Sequence, residues 1–181
     1  MEWDILYAIQ DLRCAFLDTF ALVLSWVVGE YGQLWPLLGI GMLFFKKTRK
    51  CGAVLLASYV LVLLGGHVVL KDLIARARPC TLDQTVELLV ERKTDYSCPS
   101  THTAWAFAGA TALFLHFKKW GIAAFAVAVL VGLSRMYLFM HFPTDVLCGA
   151  VLGVLCAVCA YYLVNAAEKG LAKRKRKEER S

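Results

Sequence analysis

Apolar stretches long enough to cross a bilayer, separated by short polar breaks, are the feature of this sequence that most constrains its fold. Of the 181 residues, 59% are hydrophobic, and the mean hydropathy is +0.58. One crossing takes about 20 residues, so the chain has room for about five or six crossings and little else. We therefore expect an all-α polytopic membrane helical bundle with about five or six transmembrane helices and no separate soluble catalytic domain.

The boundaries of the apolar stretches place the crossings along the chain. We expect crossings at 33–45, 51–70, 100–117, 121–138 and 144–165. Residues 14–28 are also apolar, but they are short, and whether they span the membrane stays open.

Basic residues predict the orientation of the crossings, because Lys and Arg concentrate on the cytoplasmic side. Lys118 and Lys119 mark one cytoplasmic end, and the basic segment 169–181 follows the last crossing as a cytoplasmic tail that we expect to be frayed. This divides the chain into a membrane-embedded domain, 1–168, and the tail. The polar connection 72–97 then lies on the outer face.

The N-terminal residues predict a helix of a different kind. They carry acidic residues and lack the basic start of a signal peptide. Their apolar members fall at nearly helical intervals: Trp3, Ile5, Leu6, Ile9 and Leu12. We expect an amphipathic helix lying at the membrane interface.

The net charge of +6 does not indicate nucleic-acid binding. Much of the excess lies beside apolar stretches, where basic clusters contact anionic lipid headgroups. No surface of interleaved basic and aromatic residues accompanies it, so we expect no nucleic-acid partner.

Ionisable residues cluster in three short stretches, at 71–79, 98–102 and 134–145. Charged groups near membrane depth are costly, and they are by default candidates for function. The predicted topology puts all three stretches at outer ends of helices. We therefore expect them to meet in one place.

The cationic side chains of these stretches match the charge of a phosphate. Lys71, Arg78 and Arg135 supply three fixed positive charges, and the guanidinium fork suits phosphate oxygens. Ser100 and Thr101 follow a proline and have the pattern of a helix start, whose N–H groups also favour an anion.

The remaining polar residues supply reactive groups. His141 is a candidate nucleophile, and Asp145 is placed to accept a hydrogen bond from its other ring nitrogen. His102 is then left as the general acid that protonates the departing oxygen. This set needs neither a metal nor a cofactor.

Together the three stretches resemble the pattern of the type 2 phosphatidic acid phosphatase family, K-x6-RP, then PSGH, then SR-x5-H-x3-D. The first and third motifs match through these residues: Lys71, Arg78, Pro79, Ser134, Arg135, His141 and Asp145. In size and layout the chain is similar to the small bacterial lipid phosphatases of that family. The resemblance implies a phosphohistidine on His141, with His102 as the acid.

The second motif departs from the family, because Thr101 stands where the family has glycine. The added Cβ and hydroxyl lie where the backbone should approach phosphate closely. No titrating group is lost, so we still expect an active enzyme.

The resemblance also ranks the substrates. We place undecaprenyl diphosphate first, followed by phosphatidylglycerophosphate and phosphatidic acid, all hydrolysed at the outer face of the cell membrane. An alternative from another class is a membrane protein that binds anions without chemistry. The sequence does not specify an oligomeric state.

Three smaller points have two interpretations each. Cys80 and Cys98 flank the outer loop, and the family's site geometry would bring them together as a disulfide or as two free thiols. Arg76 contacts either phosphate or solvent. The loop residues around Leu89 form either a short amphipathic lid or an ordinary loop.

Overall fold

The computed structural model describes residues 1–29 and 32–179, and in these residues the secondary structure is helical, with no strand. Residues 30–31 and 180–181 lie outside the described residues, and the latter pair ends the predicted tail. The helices are α1 (Glu2–Gln10), α2 (Ala15–Val28), α3 (Leu34–Leu43), α4 (Arg49–Leu61), a π-helical segment (Val62–Leu70), α5 (Lys71–Ile74), α6 (Pro79–Leu82), α7 (Thr101–His116), α8 (Lys118–Tyr137) and α9 (Pro143–Glu178). The predicted all-α fold is confirmed.

Among the described residues, three segments are long and apolar enough to cross a membrane: Arg49–Leu82, Lys118–Tyr137 and Pro143–Glu178. The helices α2, α3 and α7 are shorter, with 14, 10 and 16 residues. At about 1.5 Å per residue, none of these three reaches the thickness of about 30 Å of the hydrocarbon core. A count of five or six crossings therefore depends on these shorter helices.

Helix α7 lies at the centre of the bundle and contacts α4, α8 and α9. Its inward face is built from small buried residues, among them Ala104, Ala108 and Ala112. Two glycines of α9 make the approach close, because a Cβ on Gly149 or Gly153 would collide with a backbone carbonyl oxygen at the start or in the body of α7. Small residues at such a contact let two helix backbones approach closely.

Helix α1 forms as predicted, but part of its apolar face packs on the protein. Leu6 is completely buried, and the Trp3 ring meets Phe142 edge to face at 5.1 Å between centroids. Ile5 is exposed, as expected of an interfacial helix, whereas Leu12, which the sequence placed on this helix, lies beyond its end at Gln10. The helix therefore joins the chain's N-terminus to the turn that precedes α9.

The segment from 83 to 97 is described throughout and contains no helix, so the amphipathic lid helix is not formed. Val86, Leu89 and Val90 nevertheless pack against the cluster that contains Leu6 and Phe142. The loop is therefore held down on the body of the protein.

Two further expectations are decided by the fold. The cysteines on either side of the loop are free thiols, and Cys80 Sγ lies 3.9 Å from Met140 Sδ. The predicted frayed tail is instead helical as far as it is described, because α9 continues to Glu178.

Candidate active site

Residues from all three polar stretches line one cavity of about 680 Å³. The sequence-predicted residues on its wall are Lys71, Arg78, Thr101, His102, Arg135 and His141. Ser100 and Asp145 are completely buried and do not line the cavity. The helices thus bring six of the eight candidates to one space.

The first cation is positioned by an unusual stretch of helix. Lys71 follows nine π-helical residues, Val62–Leu70, that continue α4. Wide π turns inside α-helices often occur at functional sites. The Lys71 side chain points into the protein and is only 5% exposed.

His141 lies in the turn between α8 and α9, where its ring is held on both sides. Its Nδ1 is 2.8 Å from the carbonyl oxygen of Ser97, and its Nε2 is 3.1 Å from Arg78 Nη1. A carbonyl oxygen only accepts hydrogen bonds, so Nδ1 carries the proton and Nε2 has a lone pair. Burial, together with the charges of Arg78 and Lys71, lowers the pKa of His141 and keeps the ring neutral.

Asp145 does not make the predicted hydrogen bond to His141. Its Oδ2 is 3.9 Å from Nδ1 of the ring and accepts the Phe142 N–H at 2.9 Å instead. Its Oδ1 accepts a hydrogen bond from Arg76 at 2.7 Å. Both carboxylate oxygens are therefore used to fix the turn, and the Ser97 carbonyl takes the place predicted for Asp145.

Arg76, for which the sequence left phosphate and solvent as alternatives, does not line the cavity, and its side chain is 29% exposed. Besides Asp145, its guanidinium bonds Glu2 of α1 and Thr144 of α9, each at 2.6 Å. It also lies over the Phe142 ring, 4.1 Å from its centroid, in a cation–π contact. Arg76 therefore ties α1 to the turn that carries His141.

A carboxylate that the sequence analysis did not single out sits between two of the cations. Asp95 Oδ2 lies 2.5 Å from Lys71 Nζ and 3.0 Å from Arg78 Nη2, and Oδ1 lies 3.0 Å from Arg78 Nε. Burial raises the pKa of Asp95, but the hydrogen bonds from Arg78 and Lys71 outweigh this and bring it to about 2. Asp95 is therefore a permanent anion in this site.

Arg135 differs from the other two cations. It is buried on the cavity wall, and its guanidinium bonds the Ser134 hydroxyl at 3.2 and 3.3 Å. Within the part of the chain that the structure describes, it forms no ion pair with a carboxylate. Its charge is therefore available to an anion in the cavity.

The predicted helix start is present, but Ser100 does not face the cavity. Helix α7 begins at Thr101 with Ser100 as its N-cap residue. The Ser100 N–H donates to the Asp145 carbonyl at 3.0 Å, and its hydroxyl lies 2.9 Å from that of Thr103. Thr101 and His102, in the first turn, line the cavity in its place.

His102 has contacts that hold its ring at the cavity wall. Its ring meets Trp105 edge to face at 6.3 Å and hydrogen-bonds the backbone of Gly29. Over residues 1–29 and 32–179, no group of three or more His, Cys, Asp or Glu is arranged to hold a metal ion. The cavity wall thus carries the imidazoles of His102 and His141, the three predicted cations and the Asp95 carboxylate, and His67 and Lys93 line it as well.

Comparison with known proteins finds a family match that covers this site. The model of the PAP2 superfamily matches residues 51–169. The chain is 38% identical over 129 residues to an undecaprenyl-diphosphatase of Sulfolobus acidocaldarius, a match that covers 70% of this chain and 62% of that protein.

Two crystal structures share the fold. LpxE of Aquifex aeolicus superposes with a TM-score of 0.71 at 29% identity, over 88% of this chain and 93% of that one. A transmembrane PAP2-type phosphatidylglycerolphosphate phosphatase of Bacillus subtilis gives a TM-score of 0.69 at 30% identity, over 92% of this chain and 84% of that one.

Proposed function

Since this chain belongs to the PAP2 superfamily, we propose that it is a metal-independent membrane phosphatase that hydrolyses a lipid phosphate through a phosphohistidine on His141. One observation carries the proposal. His141 presents a neutral Nε2 beside Arg78 at the wall of a cavity that also holds Lys71 and Arg135. A nucleophile and three phosphate-matching charges therefore share one space.

The reaction has two steps. A phosphate that draws the Arg78 N–H away from His141 Nε2 frees the lone pair of this nitrogen, which attacks phosphorus. The bond from phosphorus to the lipid-side oxygen breaks, and His102, which enters the step as the imidazolium, gives that oxygen a proton. Water then attacks phosphorus and loses a proton to His102, while the bond from phosphorus to His141 Nε2 breaks. This releases inorganic phosphate and restores a neutral His141 and a protonated His102. Lys71, Arg78 and Arg135 stabilise the charge on the phosphoryl oxygens.

The walls of the cavity support a lipid substrate. Leu22 and Trp26 of α2 contribute to its lining, and Trp26 is 83% exposed on the outside of the bundle. One side of the cavity is therefore apolar and continuous with the surface that meets lipid tails. A phosphate end on the cations and an apolar body along α2 fit this arrangement.

Undecaprenyl diphosphate remains the first choice of substrate, as ranked from the family resemblance, and a relative at 38% identity is named an undecaprenyl-diphosphatase. Another relative at 38% identity is named phosphatidylglycerophosphatase B. Phosphatidylglycerophosphate and phosphatidic acid follow. The basic clusters near 46–50, 118–119 and 169–179 favour a topology in which the cavity opens on the outer face and the tail is cytoplasmic.

The test is phosphate release from these three lipids in detergent, with EDTA present. We expect turnover by the unchanged protein and nearly complete loss in His141→Ala. His116→Ala is the matched control, because His116 bonds a carbonyl of its own helix and does not line the cavity. No turnover by the unchanged protein, together with phosphate binding that His141→Ala retains, would instead support the anion-binding alternative.

A further inference from the structure

The carboxylate of Asp95 occupies the position that a phosphate should take on two of the three cations. It bridges Lys71 and Arg78 with both of its oxygens, at 2.5 to 3.0 Å. Two oxygens of a phosphate use the same fork of donors. Phosphate and the Asp95 carboxylate therefore cannot both hold these donors.

The two sides of this ion pair differ in their access to water. The Asp95 side chain is 45% exposed, whereas those of Lys71 and Arg78 are only 5% and 6% exposed. A carboxylate that leaves the pair regains water at once, but the buried cations would lose their counter-charge. Its departure is therefore favourable only when another anion replaces it.

Arg78 keeps its place when the carboxylate leaves. Its Nε also bonds the backbone carbonyl of Asp95 at 3.0 Å, and its Nη1 bonds the Met140 carbonyl at 3.0 Å. These bonds involve backbone atoms and do not depend on the Asp95 side chain. The carboxylate is thus dispensable for holding the guanidinium.

From these contacts we propose that Asp95 is a built-in competitor for the phosphate site, which lowers the affinity of the site for phosphate groups and so prevents tight binding of free phosphate. A small anion must displace the carboxylate with its charge alone, whereas a lipid phosphate adds the binding of its apolar body. Displacing Asp95 costs both ligands the same free energy and weakens the binding of both by the same factor. The lipid phosphate keeps the added affinity of its apolar body, whereas inorganic phosphate, which is the product, is left with weak binding. The inference rests on the phosphate site of the proposed function.

Titration does not relieve this competition under ordinary conditions. The hydrogen bonds from Arg78 and Lys71 bring the pKa of Asp95 to about 2 in spite of burial. The carboxylate is therefore charged throughout the neutral range, and only a ligand displaces it.

The test is direct binding of inorganic phosphate to the purified protein in detergent, measured by calorimetry, for the unchanged protein and for Asp95→Asn and Asp95→Ala. Removing the competing charge should lower the Kd for phosphate by about tenfold or more. Glu87→Gln is the matched control, since Glu87 is an exposed carboxylate of the same loop outside the cavity. It should leave the Kd unchanged.

The outcomes separate this inference from the proposed function. Tighter phosphate binding in both Asp95 variants supports the competitor even if no lipid phosphate is hydrolysed. An unchanged or higher Kd in Asp95 variants that are folded, as a single cooperative melting transition shows, would overturn it. That result would mean that the carboxylate holds Lys71 and Arg78 in place for phosphate.

Discussion

Asp145 supports His141 through the backbone of the turn that carries both residues, and not through the imidazole. Its Oδ2 accepts the Phe142 N–H at 2.9 Å and stays 3.9 Å from the His141 ring. The imidazole takes its orientation from the Ser97 carbonyl at 2.8 Å. Asp145 therefore affects His141 by fixing the position of the turn.

This coupling predicts different results for two substitutions of Asp145. Asp145→Asn keeps an oxygen for the Phe142 N–H but loses the acceptor of Arg76, so the turn should be held in part and turnover should fall less than in Asp145→Ala. Asp145→Ala removes that acceptor, and we expect turnover to fall by about 100-fold, the loss typical of a reacting group displaced by about 1 Å. Steady-state kinetics of both variants checks this. Equal losses would contradict this and indicate that the carboxylate charge, rather than an oxygen for the Phe142 N–H, supports His141.

The N-terminal helix should contribute to the stability of the same turn. Glu2 bonds both Arg76 and Thr144, and these contacts are partly exposed. Glu2→Gln should therefore lower the free energy of unfolding by about 0.5–1 kcal/mol. Thermal melting in detergent measures the effect. Asp4→Asn is the control on the same helix, because Asp4 is exposed and pairs with the N-terminal amine of its own helix; an equal shift in both variants would contradict the prediction.

The sequence predicted the residues of the site that belong to motifs, but not the group that orients His141. Lys71, Arg78, Arg135 and His141 were found because their types and spacing form motifs at the ends of apolar helices. Ser97 acts through its backbone carbonyl oxygen. Every residue has this group, so the residue type at position 97 gives no signal in the sequence.

Asp95 and Glu2 were missed for a different reason. Asp95 is one of several charged residues in the loop, and only the fold shows which of them reaches the cations. Glu2 and Arg76 are 74 residues apart in the sequence, and no local sequence pattern predicts a contact between them.

The stability that Asp95 confers should depend on pH in a defined direction. Its folded pKa of about 2 is lower than that of an unfolded aspartate, about 3.9, so its contribution is full above about pH 5. The contribution is lost as pH falls from there towards 2. The difference in melting temperature between the unchanged protein and Asp95→Asn should be constant from about pH 5 to 8 and shrink below about pH 4. A difference that changes between pH 6 and 8 would require another titrating group.

Thr101, in place of the glycine of the family motif, should be compatible with activity. Its side chain lies beside a glycine of the π-helical segment, since a Cβ on Gly66 would be 3.9 Å from Thr101 Cγ2. Thr101→Gly should therefore stay folded and change turnover by less than about tenfold, with a stability loss below about 1 kcal/mol from helix propensity. Kinetics and melting of this variant check both values. An inactive parent protein that becomes active in Thr101→Gly would contradict the expectation.

The close contact of α9 with α7 should be sensitive to a single methyl group. A Cβ on Gly149 would overlap the carbonyl oxygen of Ser100, at the start of α7, and backbone cannot move aside as a side chain can. We expect Gly149→Ala to destabilise the protein by about 1–3 kcal/mol, the usual cost of overpacking.

The same substitution elsewhere in α9 provides the control for Gly149→Ala. Of the residues that the structure describes, none comes within 4 Å of the place that a Cβ would take on Gly170, so only helix propensity changes there. Gly170→Ala should therefore be neutral or stabilise the protein by up to about 1 kcal/mol. Comparing the melting temperatures of the two variants separates the effect of packing from the effect of helix propensity. Because Ser100 donates its N–H to the Asp145 carbonyl at 3.0 Å, Gly149→Ala should also lower turnover, whereas Gly170→Ala should not.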